Sequence, residues 1–486
     1  MVNGRERSGR FQTGRGGLQE QALHALTGPT ARLVLVLGLA FALFVGTDQH
    51  GRTFSADTAR YALVGREIVE RGDPSRLTLD GKPYAKKPPL VFWLEAGAYS
   101  MFGFTEGAAR LPSRAFGLAS LALLMALAAR HHGLRAAFWT GLCMTTWHAF
   151  QRSACTARLD TALTFFTIAS LAVFLAMDRR GFTPWRALGL GSLIGFGVLA
   201  KGPPGLLGAG AILLGAVLTG RSRLAFKTIP LAATAAAAVA APWYILQAVR
   251  EGQGWTLDLV ADWTRSQEEA GLGKFVALYA KEFFLPAAPW LVPSAAGVAW
   301  ALRRVRGHPR RALPEALFLS LAVVLLAGLA CRAAHHARYV IPLVPVLAFT
   351  AGPWIAHRLR RRRPERAVAT LLAIIVLAAY PLGIAVGVPR MRVKYEDVRH
   401  AAELVRDEYP QATILPTWPP HIGAGIREAT RFYFGLSLRP FDPSDTTQPS
   451  IVLLRSHERR PEFESLYGLR ALVVGEEGII YDRRKS

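Results

Sequence analysis

Acidic residues are scarce in this chain: 34 Asp and Glu stand against 58 Lys and Arg, a formal charge of +24. Cysteine is scarcer still, with three in 486 residues. Cys143, Cys155 and Cys331 all fall in or beside apolar stretches. Three scattered thiols make neither a disulfide framework nor a cysteine zinc site, although Cys155 and Cys331 share one side and could meet. No Gly-rich phosphate-cradling loop occurs, and no self-similar period of 20–50 residues marks a repeat array. A cleavable leader is also missing: the basic N-terminal segment is too long, and Val45-Gly46-Thr47-Asp48 offers no small-x-small site, so the first apolar run is expected to be a retained signal anchor.

What the chain has in abundance is apolar length: 51% of its residues are hydrophobic and only 19% charged. A hydrocarbon layer about 30 Å thick needs roughly 20 apolar residues per helix. Such windows recur near 30–47, 110–130, 134–152, 159–177, 186–200, 203–219, 227–248, 285–302, 314–331, 338–357 and 367–388. The loops on one side of them are basic: Arg5, Arg7, Arg10 and Arg15; Arg130 and Arg135; Arg179, Arg180 and Arg186; Arg221, Arg223 and Lys227; Arg303, Arg304, Arg306, Arg310 and Arg311; Arg358, Arg360–Arg363 and Arg366. Basic residues that alternate with apolar spans are topology and headgroup contact, not a nucleic-acid surface. The expected fold is therefore an all-α polytopic inner-membrane protein of about eleven transmembrane helices. Its N-terminus (1–29) would be cytoplasmic, its multispan body would run over 30–388, and a small α/β domain (389–486) would lie outside.

Two outer loops stand out, 48–109 and 250–284. In the first, Ala59–Arg71 has the pattern of an amphipathic helix on the membrane surface. Leu90–Phe102 is apolar but short, and is expected as an interfacial or re-entrant helix; as a full span it would reverse every later loop and ruin the charge bias. The second loop places Trp255, Trp263, Tyr279, Phe283 and Phe284 at interfacial depth. The tail is expected to be helical through Tyr409, then to form strands at Ala412–Trp418, Ile451–Arg455, Leu472–Gly475 and Ile479–Tyr481.

Chemistry-bearing residues collect on the outer side. Asp57, followed by Thr-Ala-Arg-Tyr, is a good helix start; at a lipid–water boundary it is equally suited to act as a general base or acceptor-orienting carboxylate. Asp160 sits at the mouth of a span, where an ionisable group is a functional candidate by default, or else an ion-pair partner of Arg158 or Arg60. Lys86 and Lys87 precede Pro88-Pro89, and Lys201 precedes Pro203-Pro204. Each corner fixes an ammonium where the helix cannot continue, either snorkelling to headgroups or binding a phosphate. Arg60, Arg158, Arg332 and Arg338 could grip the same anion as planar forks. His335 and His336 are adjacent and so about 100° apart on a helix, which favours structural or substrate hydrogen bonds over chelation.

As a set, Asp57-x-x-Arg60-Tyr61-Ala62, Gly81-x-x-Tyr84-x-Lys86-Lys87-Pro88-Pro89-Leu90-x-x-Trp93, Ala109-Arg110-Leu111-Pro112-Ser113, Ala157-Arg158-Leu159-Asp160, Leu199-Ala200-Lys201-Gly202-Pro203 and Arg338-Tyr339-x-x-Pro342 resemble the bacterial lipid-linked-sugar glycosyltransferases. That group includes the lipid A aminoarabinose transferases and, more distantly, the protein O-mannosyltransferases. The resemblance covers about 30 to 350. It implies a GT-C type membrane fold, an outward-facing site and a polyprenyl-phosphate-linked sugar as donor. By the same resemblance Asp57 is the catalytic or acceptor-positioning carboxylate, Lys87 binds the donor phosphate, and Arg60, Tyr84 and Asp160 shape the pocket; read from the residues themselves, Asp160 is a second catalytic candidate and Arg60, Lys201 and Arg158 are further phosphate ligands. Tyr84, Lys86, His335, His336, Arg338 and Tyr339 shape the substrate pocket. The resemblance fixes no cofactor, and a divalent metal is left open. The sequence departs from the pattern where the mannosyltransferases carry Asp-Glu, here Asp57-Thr58, and where the aminoarabinose transferases usually have Glu-Lys-Pro-Pro, here Lys86-Lys87-Pro88-Pro89. The acceptor, a lipid such as lipid A, a glycan or a protein, is not fixed by the resemblance. The rival reading is a lipid or small-molecule transporter or flippase; the chain lacks the paired hydropathy repeats such folds use, and its ions lie at one interface.

Overall fold

A computed structural model of the chain describes residues 28–45, 56–264, 277–330, 336–360, 364, 367–368, 413–414, 431–432, 450–454, 470–474 and 479–483. The apolar windows from 30–47 to 338–357 all fall on helices, while 367–388, the expected helix before Tyr409, Cys331, Arg332 and His335 lie outside the described residues. Among the described residues, five helices are long and apolar enough to cross a membrane: Glu106–His132, Asp160–Arg180, Ser222–Gly252, Ala277–Gly307 and Leu313–Ala330. Pro29–Phe44, Leu134–Thr146, Pro184–Lys201, Leu207–Thr219 and Leu343–Arg358 are further helices packed among them.

Local sequence explains where the helices begin and end. Thr105 caps Glu106–His132 by accepting the Ala108 N–H at 3.1 Å, and Gly133, with φ 88°, closes it. Thr183 does the same for Pro184–Lys201, with Pro184 in the first turn, where its missing N–H costs nothing. That helix stops at Gly202, whose φ of 77° a Cβ would resist, and so places Lys201 in its last turn. At Gly191 the same helix touches Ser222–Thr264 so closely that a Cβ would collide with the Ala232 carbonyl.

The 134–152 window is not one span. The helix breaks at Trp147, which turns to ψ 106° and buries its indole completely, 5.5 Å from the Phe283 ring. His148–Ala154 then runs as a separate short helix. The second outer loop also differs from expectation: the chain turns at Gly252 (φ 70°) and continues as helix to Thr264, and Trp255 is buried against Trp243. The helix Ala56–Arg71 has the expected helical form, and its apolar residues are covered by protein. Ala59, Ala62 and Val64 are fully buried, because Leu90–Phe102 packs along it and Phe432, from the tail, covers it.

The basic loops meet at one end of the helices. Arg221 is ion-paired with Asp178 and donates to the Arg310 carbonyl, and Arg135 donates to the Arg360 carbonyl at 3.2 Å. Arg304 and Glu315 pair at 2.6 Å, and Lys227 stacks on Phe182. The tail strands Thr413–Ile414, Ser450–Leu454, Arg470–Val474 and Ile479–Arg483, here β3 to β6 after the short hairpin pair β1 (Thr78–Leu79) and β2 (Lys82–Pro83), form one sheet in the order β3-β4-β6-β5. Only β3 and β4 are parallel.

Candidate active site

At the end opposite the basic loops, four segments converge. Asp57 lies in the first turn of Ala56–Arg71, where the helix dipole favours a carboxylate. Its Oδ2 accepts from Arg338 Nη1, and its Oδ1 lies 3.8 Å from Arg60 Nη1. Partial burial works to raise the Asp57 carboxyl, but Arg338, Arg60 and Arg158 more than offset it and hold the group below its ordinary value of 3.8. The charged form therefore persists throughout the neutral range.

Asp160 opens the helix Asp160–Arg180 and Lys201 closes Pro184–Lys201, so each charge sits at the helix end whose dipole suits it. They pair directly: Lys201 Nζ donates to Asp160 Oδ1, with Asp160 2% and Lys201 8% exposed. Neither Arg158 nor Arg60 takes the role of Asp160's hydrogen-bonding partner. Arg158 is instead fixed through its backbone: its N–H donates to Ser113 Oγ at 2.9 Å, and the Ser113 hydroxyl donates to its carbonyl at 2.7 Å. The Ala109–Ser113 and Ala157–Asp160 motifs thus meet. Tyr339 presents its ring to both Lys201 (5.3 Å) and Arg338 (5.6 Å).

Each of the two arginines that hold Asp57 lines an open cavity. One, of about 240 Å³, is lined by Arg60, Leu79, Asp80, Lys82, Tyr84 and Lys86 among others. Tyr84 is buried, its ring 6.1 Å from and perpendicular to Phe92, and its N–H donates to the Leu77 carbonyl. The other, of about 150 Å³, is lined by His148, Arg152, Arg158, Glu282, His336 and Arg338 among others. Arg158 Nε is buried there with no hydrogen-bond partner. The cations expected around a single phosphate are therefore divided between the cavities, with Arg60 and Lys86 in the first and Arg158 and Arg338 in the second. Lys201 is engaged by Asp160, and Lys87, half-buried, turns its Nζ to the Lys86 carbonyl at 2.9 Å. His335 lies outside the described residues. Sequence reading missed His148, Arg152 and Glu282; the first two were visible as polar interruptions of the 134–152 window. Among the described residues no three His, Cys, Asp or Glu side chains converge as metal ligands.

Residues 86–246 match the family described as dolichyl-phosphate-mannose-protein mannosyltransferase. The chain is 28% identical over 290 residues to an undecaprenyl phosphate-alpha-4-amino-4-deoxy-L-arabinose arabinosyl transferase of Aeromonas salmonicida, covering 56% of this chain and 50% of the relative. It is 27% identical over 352 residues to the protein of that name from Pectobacterium atrosepticum, covering 66% and 58%. The chain thus spans about half the length of these curated relatives. Among solved structures, ArnT from Cupriavidus metallidurans bound to undecaprenyl phosphate superposes with a TM-score of 0.70 at 17% identity, covering 94% of this chain and 99% of that one. The Archaeoglobus fulgidus oligosaccharyltransferase AglB, in complex with an inhibitory peptide and a dolichol-phosphate, superposes with 0.51 at 14% identity, covering 84% and 63%. The resemblance read from the motifs is therefore met in sequence by these transferases and in fold by ArnT.

Proposed function

We propose that this chain is an integral-membrane glycosyltransferase of the inner membrane that moves a sugar such as aminoarabinose or mannose from a polyprenyl phosphate to a lipid, glycan or protein acceptor. The N-terminus is then cytoplasmic, and the site and the 389–486 domain face outward. The observation that carries this reading is Asp57 held by one arginine from each of two basic cavities, Arg60 and Arg338. A reaction between a lipid-borne phosphate ester and a second substrate needs two anchoring places and a carboxylate between them.

In this reading the acceptor oxygen attacks the sugar's anomeric carbon as its bond to the phosphate oxygen breaks, with inversion; the electron pair leaves on the phosphate, which also takes up the proton that a hydroxyl acceptor gives up. Cations beside that oxygen stabilise the charge as it grows. We assign this role to Lys87 with Arg60. A carboxylate held at low pKa is a weak proton acceptor, so Asp57 orients the acceptor group and faces the positive charge developing on the sugar. Asp160 holds Lys201 under Tyr339, and Arg158 and Arg338 shape the second cavity.

The purified chain in lipid vesicles, given a polyprenyl phosphate bearing radiolabelled aminoarabinose or mannose together with cell-envelope lipid and glycan, is expected to move label into the acceptor fraction. Movement of the donor across vesicles with no new glycosidic bond would replace this reading with the flippase one.

Lys87→Ala is expected to lower kcat by at least about tenfold, the effect of roughly 1.4 kcal/mol of lost transition-state stabilisation. Arg at 87 should rescue only in part, because a planar fork does not reproduce a compact ammonium. Lys86 lines the cavity, so Lys86→Ala is expected to raise the donor KM instead. Equal, mild effects at both positions would reduce them to lysines that anchor the loop to headgroups.

A further inference from the structure

The first outer loop is fastened on one side to the helix Ser222–Thr264. Arg76 pairs with Glu251 at 2.8 Å, and the Gln247 amide donates to the Ser75 carbonyl. Its other side is fastened by two residues from far along the tail. Arg431 Nη1 lies 2.8 Å from Glu67 Oε1 and 2.7 Å from Asp80 Oδ1. Phe432 is 1% exposed, its ring 6.0 Å from Tyr99, and its carbonyl accepts from Arg66 Nη1. The Arg66 guanidinium in turn lies 4.4 Å from the Phe104 ring.

Glu67 shows what this contact holds. It lies on the same helix as Asp57, is 1% exposed, and receives the Asp80 N–H at 2.7 Å, the Gly81 N–H at 3.3 Å and the Thr78 hydroxyl. Asp80 and Gly81 form the turn between β1 and β2, both with positive φ (58° and 72°), the conformation that closes a two-residue hairpin. The hairpin leads directly into Tyr84 and Lys86, and Asp80 and Lys82 themselves line the cavity with Arg60. One guanidinium therefore joins two carboxylates that would otherwise repel each other, one on the helix of Asp57 and one at the hairpin tip.

We propose that Arg431, seated by Phe432, is a positioning residue: by bridging Glu67 to Asp80 it sets the β1–β2 hairpin against the Asp57 helix and so fixes the shape of the Arg60–Tyr84–Lys86 cavity. The tail is on this view part of the site, although it touches no reacting atom. Removing the cation leaves Glu67 and Asp80 in mutual repulsion, and the hairpin is the element free to move, because Glu67 belongs to a buried helix.

The link from cavity shape to donor binding rests on the proposed function; the link from Arg431 to the hairpin does not, and two measurements on the full-length protein in detergent separate them. In Arg431→Ala, hydrogen exchange in the 77–87 segment is expected to rise about tenfold, since the Asp80 and Gly81 amides lose a fixed acceptor. Exchange in Asp160–Arg180 should stay unchanged. In the same variant the donor KM should rise at least about fivefold with kcat altered less, as expected when ground-state and transition-state binding are lost together. Arg431→Lys should restore part of both effects. Arg431→Ala with Asp80→Asn, which removes the repulsion, should bring exchange back toward the wild type. Unchanged exchange at 77–87, or a faster exchange spread evenly over the whole protein, would overturn the clamp. Faster exchange with an unchanged donor KM would overturn its role in the site. A wild-type protein that transfers no sugar would defeat the functional reading and leave the exchange result standing.

Discussion

Asp57→Asn is expected to lower sugar transfer by roughly 10²–10⁴-fold, the range a positioned acid–base or orienting group supplies, while the protein still folds. The substitution keeps the size of the side chain and removes its charge. The Asp57 side chain is 33% exposed, so water can screen the Arg338 and Arg60 charges left behind and the loss of stability is small. The depressed pKa adds a second signature. A carboxylate held below its ordinary 3.8 contributes its stabilising pairs above that pH and loses them only as pH falls through the lower folded value. Asp57 should therefore impose no acid limb on the rate between about pH 5 and 8. A variant that keeps more than half the activity would sink the assignment.

The helical frame was legible because the bilayer imposes one rule on every span, and that rule is written in runs of apolar residues. Where it failed, a single side chain prevailed: Trp147 breaks the 134–152 window because burying its indole against Phe283 requires an extended turn. The amphipathic pattern of Ala59–Arg71 correctly indicated a helix but not what covers it, since the covering ring, Phe432, is supplied from hundreds of residues away. The site shows the same division. Asp57, Arg60, Tyr84 and Lys86 could be grouped from one stretch of sequence, and the structure keeps Arg60, Tyr84 and Lys86 around one cavity beside Asp57. Partners set by tertiary folding could not be read. Asp160 was matched by spacing to Arg158 or Arg60, yet its partner is Lys201, brought over by the packing of Asp160–Arg180 on Pro184–Lys201. The Arg338–Asp57 and Arg431–Asp80 pairs likewise join distant segments with no local signal.

The Lys201–Asp160 pair carries the second large expected effect, on stability. Both groups are buried beside the Tyr339 ring, and removing one partner of a buried pair leaves an uncompensated charge at a cost of about 3–5 kcal/mol. Lys201→Met should accordingly lower the folded yield and the thermal midpoint in detergent sharply. Replacing both by apolar residues of similar size, Lys201→Met with Asp160→Leu, removes the stranded charge, and such exchanges are often neutral; the loss of a carboxylate from the first helical turn takes back only about 0.3–1 kcal/mol. The double variant is therefore expected to regain most of the stability. Its activity then decides what Asp160 does. If the pair acts by holding Lys201 and Tyr339 in place, with no contact to substrate, transfer should return to within about tenfold of the wild type, a difference of roughly 1.4 kcal/mol in the barrier. A double variant that folds as well as the wild type yet transfers nothing would place one of the two charges in direct contact with the reacting groups. Asp160 would then stand beside Asp57 as a catalytic carboxylate, or Lys201 beside Lys87 as a phosphate ligand, and Asp160→Asn alone would separate those two outcomes, because it keeps the ammonium.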